Sequence, residues 1–388
     1  MKKILPYGNH EISSKDIEEV VKVLKSDRLT TGPEVFKFEK ALAKGFGAKN
    51  VSVVSNGTAA LHLAGLALGW SKEDIVLTTP MSFLATANCI VYSGATPDFV
   101  DINNHSHTID LNHLEQKIKK YLSKGKKIKA VIGVDYAGHP CEWKDLRSLA
   151  DIHDFQLIND NCHALGAVYN NEKFYAAKYA DIVTQSFHPV KHITTGEGGA
   201  VITNNNDYHL KVSRLRTHGI VYKDKDRDKG PWYREMIELG YNYRLTDIQS
   251  ALGRSQYKRL NKRIERRQEI AKIYDDKFSR NKSLITPSTA KGVKHAYHLY
   301  ALQILFSNLE IDKKTFFNKM LVEGIQLQVH YIPIHLNSYY KNKYGFKYGD
   351  FPNAENFYNQ QLSLPIYPEL SNEEIDFVIK TLINIIKL

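Results

Sequence analysis

Cysteine is scarce in this 388-residue sequence: Cys89, Cys141 and Cys162 are scattered and form no CxxC pair. That argues against a disulfide framework or a cysteine zinc site and makes a reducing cytoplasm the expected setting. Long apolar runs are missing as well. None approaches the roughly 18 residues that cross a bilayer. The opening MKKILPYGNH has two lysines but too short an apolar stretch for a secretory signal, which needs about 7–15 residues, so neither export nor a membrane partner is expected. There is no internal repeat, low-complexity tract or proline-rich linker. Neither a helix-turn-helix nor an aromatic-basic sheet is legible, so no nucleic-acid partner is expected.

What is present is an ordinary globular composition, 43 % hydrophobic and 24 % charged, with a formal charge of +11. The length suits a large core and two domains in one cooperative unit. Six of the cations, Lys258, Arg259, Lys262, Arg263, Arg266 and Arg267, lie within ten residues. On a helix they point around most of its circumference, which predicts a solvated helix in preference to a phosphate-binding patch.

Short apolar runs alternate with helical patterns through the first two-thirds. Val51–Val54, Ile75–Thr79, Pro97–Val100, Ile128–Val134, Gln156–Ile158, Asp181–Ser186 and Ala200–Thr203 read as strands. Ala59–Leu68, Leu111–Tyr121 and Asp145–Asp151 read as helices between them. This alternation predicts an α/β domain with a mostly parallel, buried sheet, spanning residues 1–250. A long charged helix then runs from Asp247 to about Phe278. Beyond it, strands Tyr297–Phe306 and Ile325–Tyr331 and helices Lys313–Glu323 and Asn372–Ile386 suggest a smaller α+β domain over residues 251–388. The N-terminal segment is free to pack on that smaller domain. The polar stretch Tyr222–Lys229 reads as a surface loop or lid.

Four segments carry candidate chemistry. SNGTAALH (Ser55–His62) follows a strand and opens a helix, where free amides attract phosphate and Gly57 lets an anion approach the backbone. NDNCHALGA (Asn159–Ala167) places Asp160 at the carboxyl end of a core strand, where open α/β sheets bind ligands. SFHPVKHITTGEGGAVIT (Ser186–Thr203) holds Lys191 between two buried strands, where a desolvated amine becomes a nucleophile toward aldehydes. LGYNYRLTDIQSALG (Leu239–Gly253) is a polar turn feeding a helix that starts near Thr246 or Asp247. Taken singly, each also reads as turn, cap or loop chemistry. His330 and His335 are common ligand types, but no third ligand accompanies them and no metal is expected.

In this order and company, Thr58, Asp160, Ser186, Lys191 and Asn242 resemble the DegT/DnrJ-type sugar-nucleotide aminotransferases of pyridoxal-phosphate fold type I. SFHxxKxxxxGEGG is the most specific segment, and the likeness runs from YGNHEISSKDIEEV to NFYNQQLSLPIYPELSNEEI. TTPMSFLATANC, VDYAGHPCEW, GPWYREMIELGYNYRLTDIQ and VHYIPIHLNSYY are most similar to the pseudaminic-acid-pathway branch of that family.

The resemblance implies a large domain with a mixed, mostly parallel seven-stranded sheet between helices, and a homodimer with shared active sites. It implies pyridoxal 5'-phosphate as cofactor, held by Lys191 as a Schiff base, with Lys191 also moving the proton. Asp160 would pair with the pyridine nitrogen, and Gly57, Thr58 and Ser186 would cradle the phosphate. Phe83 would stack on the ring, unless it is a core residue, and His163 would lie beside the 3'-oxygen. Asn242 would reach the phosphate of the neighbouring subunit's site. Thr30, His188, Tyr331 and the 222–235 loop would border the sugar-nucleotide pocket. Asn159, Cys162 and Gln185 depart from the family's usual residues without touching these roles.

The implied reaction is a ping-pong transamination through pyridoxamine phosphate. It moves the amino group of L-glutamate to C4 of a UDP-linked 4-keto-6-deoxy sugar, UDP-2-acetamido-2,6-dideoxy-β-L-arabino-hex-4-ulose. A different UDP- or dTDP-linked 4-keto or 3-keto sugar is the alternative. A dehydratase on the same scaffold would carry histidine at the lysine position, so Lys191 counts against it.

Overall fold

The structure is a computed structural model that describes residues 4–221 and 228–387. Seven strands form the main sheet: β1 (Asn50–Val54), β2 (Ile75–Thr78), β3 (Thr96–Phe99), β4 (Ala130–Val134), β5 (Gln156–Asp160), β6 (Ile182–Ser186) and β7 (Gly199–Thr203). Their order is β1-β7-β6-β5-β4-β2-β3. All neighbours from β6 to β3 are parallel, and β7 runs antiparallel to both β6 and β1. The seven expected strands are therefore all present, each within two or three residues of its expected bounds.

Burial on both faces explains why they were so legible. Val53, Leu77, Val131, Leu157, Val183 and Ile202 point to one core, and Val54, Val76, Ile132, Ile158, Ile182 and Val201 to the other. Each such side chain contributes about 1.5–3 kcal/mol on burial, and only a doubly covered sheet reads as a continuous apolar run.

After α1 (Ser14–Leu24), the covering helices are α2 (Pro33–Phe46), α3 (Gly57–Ala67), α4 (Leu84–Tyr92), α5 (Leu111–Leu122), α6 (Trp143–His153), α7 (Tyr175–Tyr179) and α8 (Asn206–Leu215). Helices α3, α4 and α8 lie on one face, with α2, α5, α6 and α7 on the other.

The expected long helix is in fact two: α9 (Asp247–Tyr257) and α10 (Leu260–Phe278), separated at Lys258 and Arg259. Thr246 caps α9 through a capping box with Gln249. The break redirects the chain. Leu260 and Ile264 of α10 pack into the core of the main sheet, and Ile270, Tyr274 and Phe278 into a second core.

That second core is built on the antiparallel sheet that follows β8 (Ile220–Val221) and β9 (Glu235–Met236) in the chain: β10 (Leu284–Ile285), β11 (Tyr300–Ile304) and β12 (Gln361–Leu364). It is covered by α10, α11 (Lys313–Val322) and, past α12 (Ser338–Tyr344) and α13 (Pro352–Gln360), by α14 (Asn372–Lys387). Leu5 joins it, bridged to Ile325. The expected strand at 325–331 does not form. Ile325 and Leu327 are buried as its alternation suggests, but Ile325 and Gln328 bridge singly to different partners, Leu5 and Ser363.

The basic cluster is not a solvated helix. Arg263 and Arg267 are buried; Arg267 donates to the carbonyls of Tyr297, His298 and Ile366, and Arg259 pairs with Glu11 and Asp16. No helix among the described residues is long and apolar enough to cross a membrane.

Candidate active site

The carboxyl ends of β1, β4, β5 and β6 open onto one cavity of about 490 Å³, the position at which open α/β sheets bind ligands. Each wall is fixed by local backbone chemistry.

Beyond β1, Asn56 caps α3, its side chain accepting from the Ala59 amide at 2.8 Å. Among the described residues the amides of Gly57 and Thr58 donate to no protein group, leaving the helix N-terminus open to an anion. A Cβ on Gly57 would stand 2.9 Å from Ser186 Cβ, so glycine is what lets this turn meet the end of β6. A Cβ on Gly199, in the GEGG segment, would lie 2.5 Å from the Asn56 carbonyl oxygen, so the start of β7 closes on the same turn. Thr58 and Ser186 both line the cavity here.

Asp160 ends β5, buried, with one carboxylate oxygen accepting from Thr86 at 2.6 Å and the other facing the Cys162 amide at 3.3 Å. Ser82 lies 2.7 Å from the Thr86 hydroxyl and extends the chain of hydrogen bonds. Burial, then Asp160 beside it, raises the Cys162 thiol well above its ordinary range and keeps it protonated.

Lys191 sits in the β6–β7 loop, which is pinned where Phe187 bonds to Gly198 and Thr195 to Phe187. Its amine lines the cavity. Burial lowers its pKa, and the Asp160 carboxylate partly opposes the fall, so the amine is closer to its nucleophilic form than a surface lysine.

His163 is buried and its tautomer is set by its neighbours. Nδ1 accepts from the Ala137 amide at 3.3 Å, so Nε2 carries the proton and donates to the Tyr331 hydroxyl at 3.1 Å. Burial, then Lys191, holds this imidazole well below its ordinary pKa. Tyr331 and Phe83 face one another with ring centroids 5.8 Å apart. Phe83 is 55 % exposed, which rules out the core alternative and puts it at the rim. His188 also lines the cavity.

Nine sequence-derived candidates thus meet at one place, and two do not. Thr30 is exposed and bridges to Thr246, and Asn242 is exposed and bridges to Thr217; neither lines this chain's own cavity. The loop reading at 222–235 falls partly outside the described residues, at 222–227, and residues 228–235 do not reach the cavity. His330 and His335 diverge: His330 lines the cavity 2.8 Å from Ser363, while His335 is buried 2.9 Å from Glu355. Among the described residues no group of three His, Cys, Asp or Glu could hold a metal.

The structure adds residues that the sequence did not reveal. Thr86 and Ser82 hold Asp160, the Tyr7 ring lies tilted against His330 with centroids 4.9 Å apart, and His298 Nε2 lies 3.4 Å from the Lys191 amine. No local pattern announces the first pair, since Ser82 lies ahead of α4 and Thr86 in its first turn. An amine with lowered pKa, a buried carboxylate and an open helix N-terminus together suit an aldehyde-bearing phosphate ester with a basic ring nitrogen.

Known proteins agree with this chemistry. The DegT/DnrJ/EryC1/StrS aminotransferase family matches residues 10–383. A UDP-4-amino-4,6-dideoxy-N-acetyl-beta-L-altrosamine transaminase of Campylobacter jejuni is 41 % identical, covering 99 % of this chain and 98 % of its own. The structure of Helicobacter pylori PseC, an aminotransferase of pseudaminic acid biosynthesis, superposes with a TM-score of 0.90 at 33 % identity, covering 99 % of this chain and all of that one. A sugar aminotransferase described as putative, Spr1654 of Streptococcus pneumoniae, solved in its PLP form, gives 0.87 at 27 % identity over 99 % of both chains. The chain belongs to the DegT/DnrJ/EryC1/StrS aminotransferase family.

Proposed function

We propose that this sugar aminotransferase moves the amino group of L-glutamate to C4 of a UDP-linked 4-keto-6-deoxy-N-acetylhexosamine, UDP-2-acetamido-2,6-dideoxy-β-L-arabino-hex-4-ulose, for pseudaminic acid or a related surface glycan. The convergence of Lys191 and Asp160 below the open N-terminus of α3 carries the reading. Pyridoxal phosphate, when bound, supplies an aldehyde for a lysine amine and a ring that accepts electrons.

The chain's own residues do the rest. Lys191 holds the cofactor and, once free, takes a proton from one carbon and returns it to another. Asp160, fixed by Thr86, is the carboxylate for the ring nitrogen. Gly57, Thr58 and Ser186 hold the phosphate, Phe83 covers the ring, and the His163 Nε2–H, already aimed by Ala137, serves the ring's oxygen. The printed name of the Campylobacter relative supports the UDP sugar, and the net charge of +11 favours a diphosphate-bearing substrate. Three free thiols and the absence of a spanning helix among the described residues support a cytoplasmic reaction.

Because Asn242 lies outside its own chain's cavity, it and Thr30 are assigned to a partner's site in a homodimer. Co-expressing Lys191→Ala and Asn242→Asp chains should then rebuild one intact site per hybrid dimer, giving about a quarter of wild-type activity; no recovery contradicts shared sites. The substrate is tested by incubating the loaded enzyme with glutamate and a panel of UDP- and dTDP-linked 4-keto sugars and reading the product by NMR. The UDP-linked L-arabino ketosugar should be aminated at C4. Amination of another member only, or a deoxygenated product, overturns the assignment.

A further inference from the structure

The cavity contains a second base that no motif announced. His298 lies just before β11, and its segment is tied to the turn that follows β4: Ala296 donates to the Gly138 carbonyl at 3.0 Å and Leu299 to that of Ala137 at 3.2 Å. Arg267 grips the same segment through the His298 carbonyl. The imidazole is thereby carried to the cavity floor, 4 % exposed, with Nε2 3.4 Å from Lys191 Nζ. Its other nitrogen, Nδ1, is buried with no partner among the described residues. A buried polar atom left unpaired costs about 1–3 kcal/mol, and the one ring nitrogen with a partner among the described residues is Nε2, against Lys191.

The charges around the ring decide what Nε2 does. Lys191 faces it from the β6–β7 loop with His192 beside it, Arg267 from α10, and His163 from the segment after β5, ring centroids 4.4 Å apart. The Asp160 carboxylate acts on Lys191 and is not among the charges that act on His298. Protonating His298 would set a further positive charge among Lys191 and Arg267. Burial acts in the same direction, so the ring stays neutral and presents a lone pair. His192 holds the Ala296 carbonyl through Nε2 at 2.9 Å, whereas the ring nitrogen within hydrogen-bond distance of the Lys191 amine is Nε2 of His298.

We propose that His298 is a positioning residue for Lys191: its Nε2 accepts one N–H of the amine and so aims the nitrogen lone pair into the cavity. No proton leaves the pair in this step; the hydrogen bond only orients the base that later carries the proton. The inference rests on the reading of Lys191 as the cofactor lysine.

The test compares wild type with His298→Ala, His298→Gln and His298→Asn. Glutamine puts an acceptor near the Nε2 position, while asparagine puts one near Nδ1. Two rates are read: formation of the lysine-bound absorbance band when apoprotein meets pyridoxal phosphate, and bleaching of that band by glutamate in single turnover. Both should fall about 10–100-fold in the Ala and Asn variants, with half-saturating glutamate within about twofold, and recover to within about fivefold of wild type in the Gln variant. Wild-type rates in the Ala variant, or equal rates in the Gln and Asn variants, overturn the proposal. Should the Ala variant not fold, the Gln–Asn comparison alone decides. A wild-type protein that forms no band at all would instead refute the cofactor reading, which separates the two failures.

Discussion

At the scale of single residues, the site depends on groups that hold other groups. Asp160 keeps its orientation because Thr86 donates to it at 2.6 Å from the first turn of α4. Thr86→Val keeps the shape and removes the donor. A hydrogen bond to a charged acceptor is worth about 1.5–3 kcal/mol, so kcat for the proposed glutamate half-reaction should fall about 10–100-fold while thermal stability changes little. A stopped-flow comparison in which the Val variant matches wild type would refute this supporting role. That Lys191, Asp160 and the Gly57–Thr58 turn line one cavity could be expected from the sequence, because each lies in a contiguous segment with a family signature. His298 could not. It stands 107 positions from Lys191, in a stretch whose apolar alternation reads only as a strand, and nothing local distinguishes its imidazole from a core histidine.

At the scale of elements, strands buried on both faces were legible and elements serving two cores were not. Apolar runs such as Val131–Val134 or Ile182–Val183 state their environment directly. Helix α10 does not, because the six cations that precede and open it have the composition of a solvated face. Two of those arginines are drawn inward by backbone carbonyls that no pattern of residue types records. Arg267 is the sharper case, satisfying the carbonyls of Tyr297, His298 and Ile366 at 2.7–3.3 Å. Arg267→Ala should cost about 2–4 kcal/mol in denaturant unfolding, since buried carbonyls would lose their donor. Arg267→Lys should recover only part, because one ammonium cannot reproduce the planar fork. An unchanged unfolding midpoint in the Ala variant would show that α10 is not clamped this way. The missing strand at 325–331 has the same origin: its buried residues alternate properly, but its backbone serves two partners in turn.

At the scale of the whole molecule, buried histidines set the acid limit. Burial pushes His107, His192 and His330 down to about 3, and holds His163, His295 and His298 well below their ordinary value. In each case the folded pKa lies below the unfolded one. The unfolded chain therefore binds the extra protons, and stability present above about pH 6.5 is lost as pH falls, by about 1.4 kcal/mol per group and pH unit. Asp135, raised to about 6 by burial, acts in the opposite sense and offsets one group. Tm should thus drop by more than about 10 °C between pH 7 and 5; a flat profile by scanning calorimetry would contradict neutral, buried imidazoles. Four of these histidines, His163, His192, His298 and His330, feel the charge of Lys191, so the environment that favours its free amine also limits the protein in acid. The central claim is that this one amine carries the cofactor, and borohydride reduction of the loaded protein followed by peptide mass spectrometry tests it directly. The phosphopyridoxyl group should be found on the peptide bearing Lys191 and vanish in Lys191→Ala; a label on another lysine, or none on the loaded wild type, would contradict it.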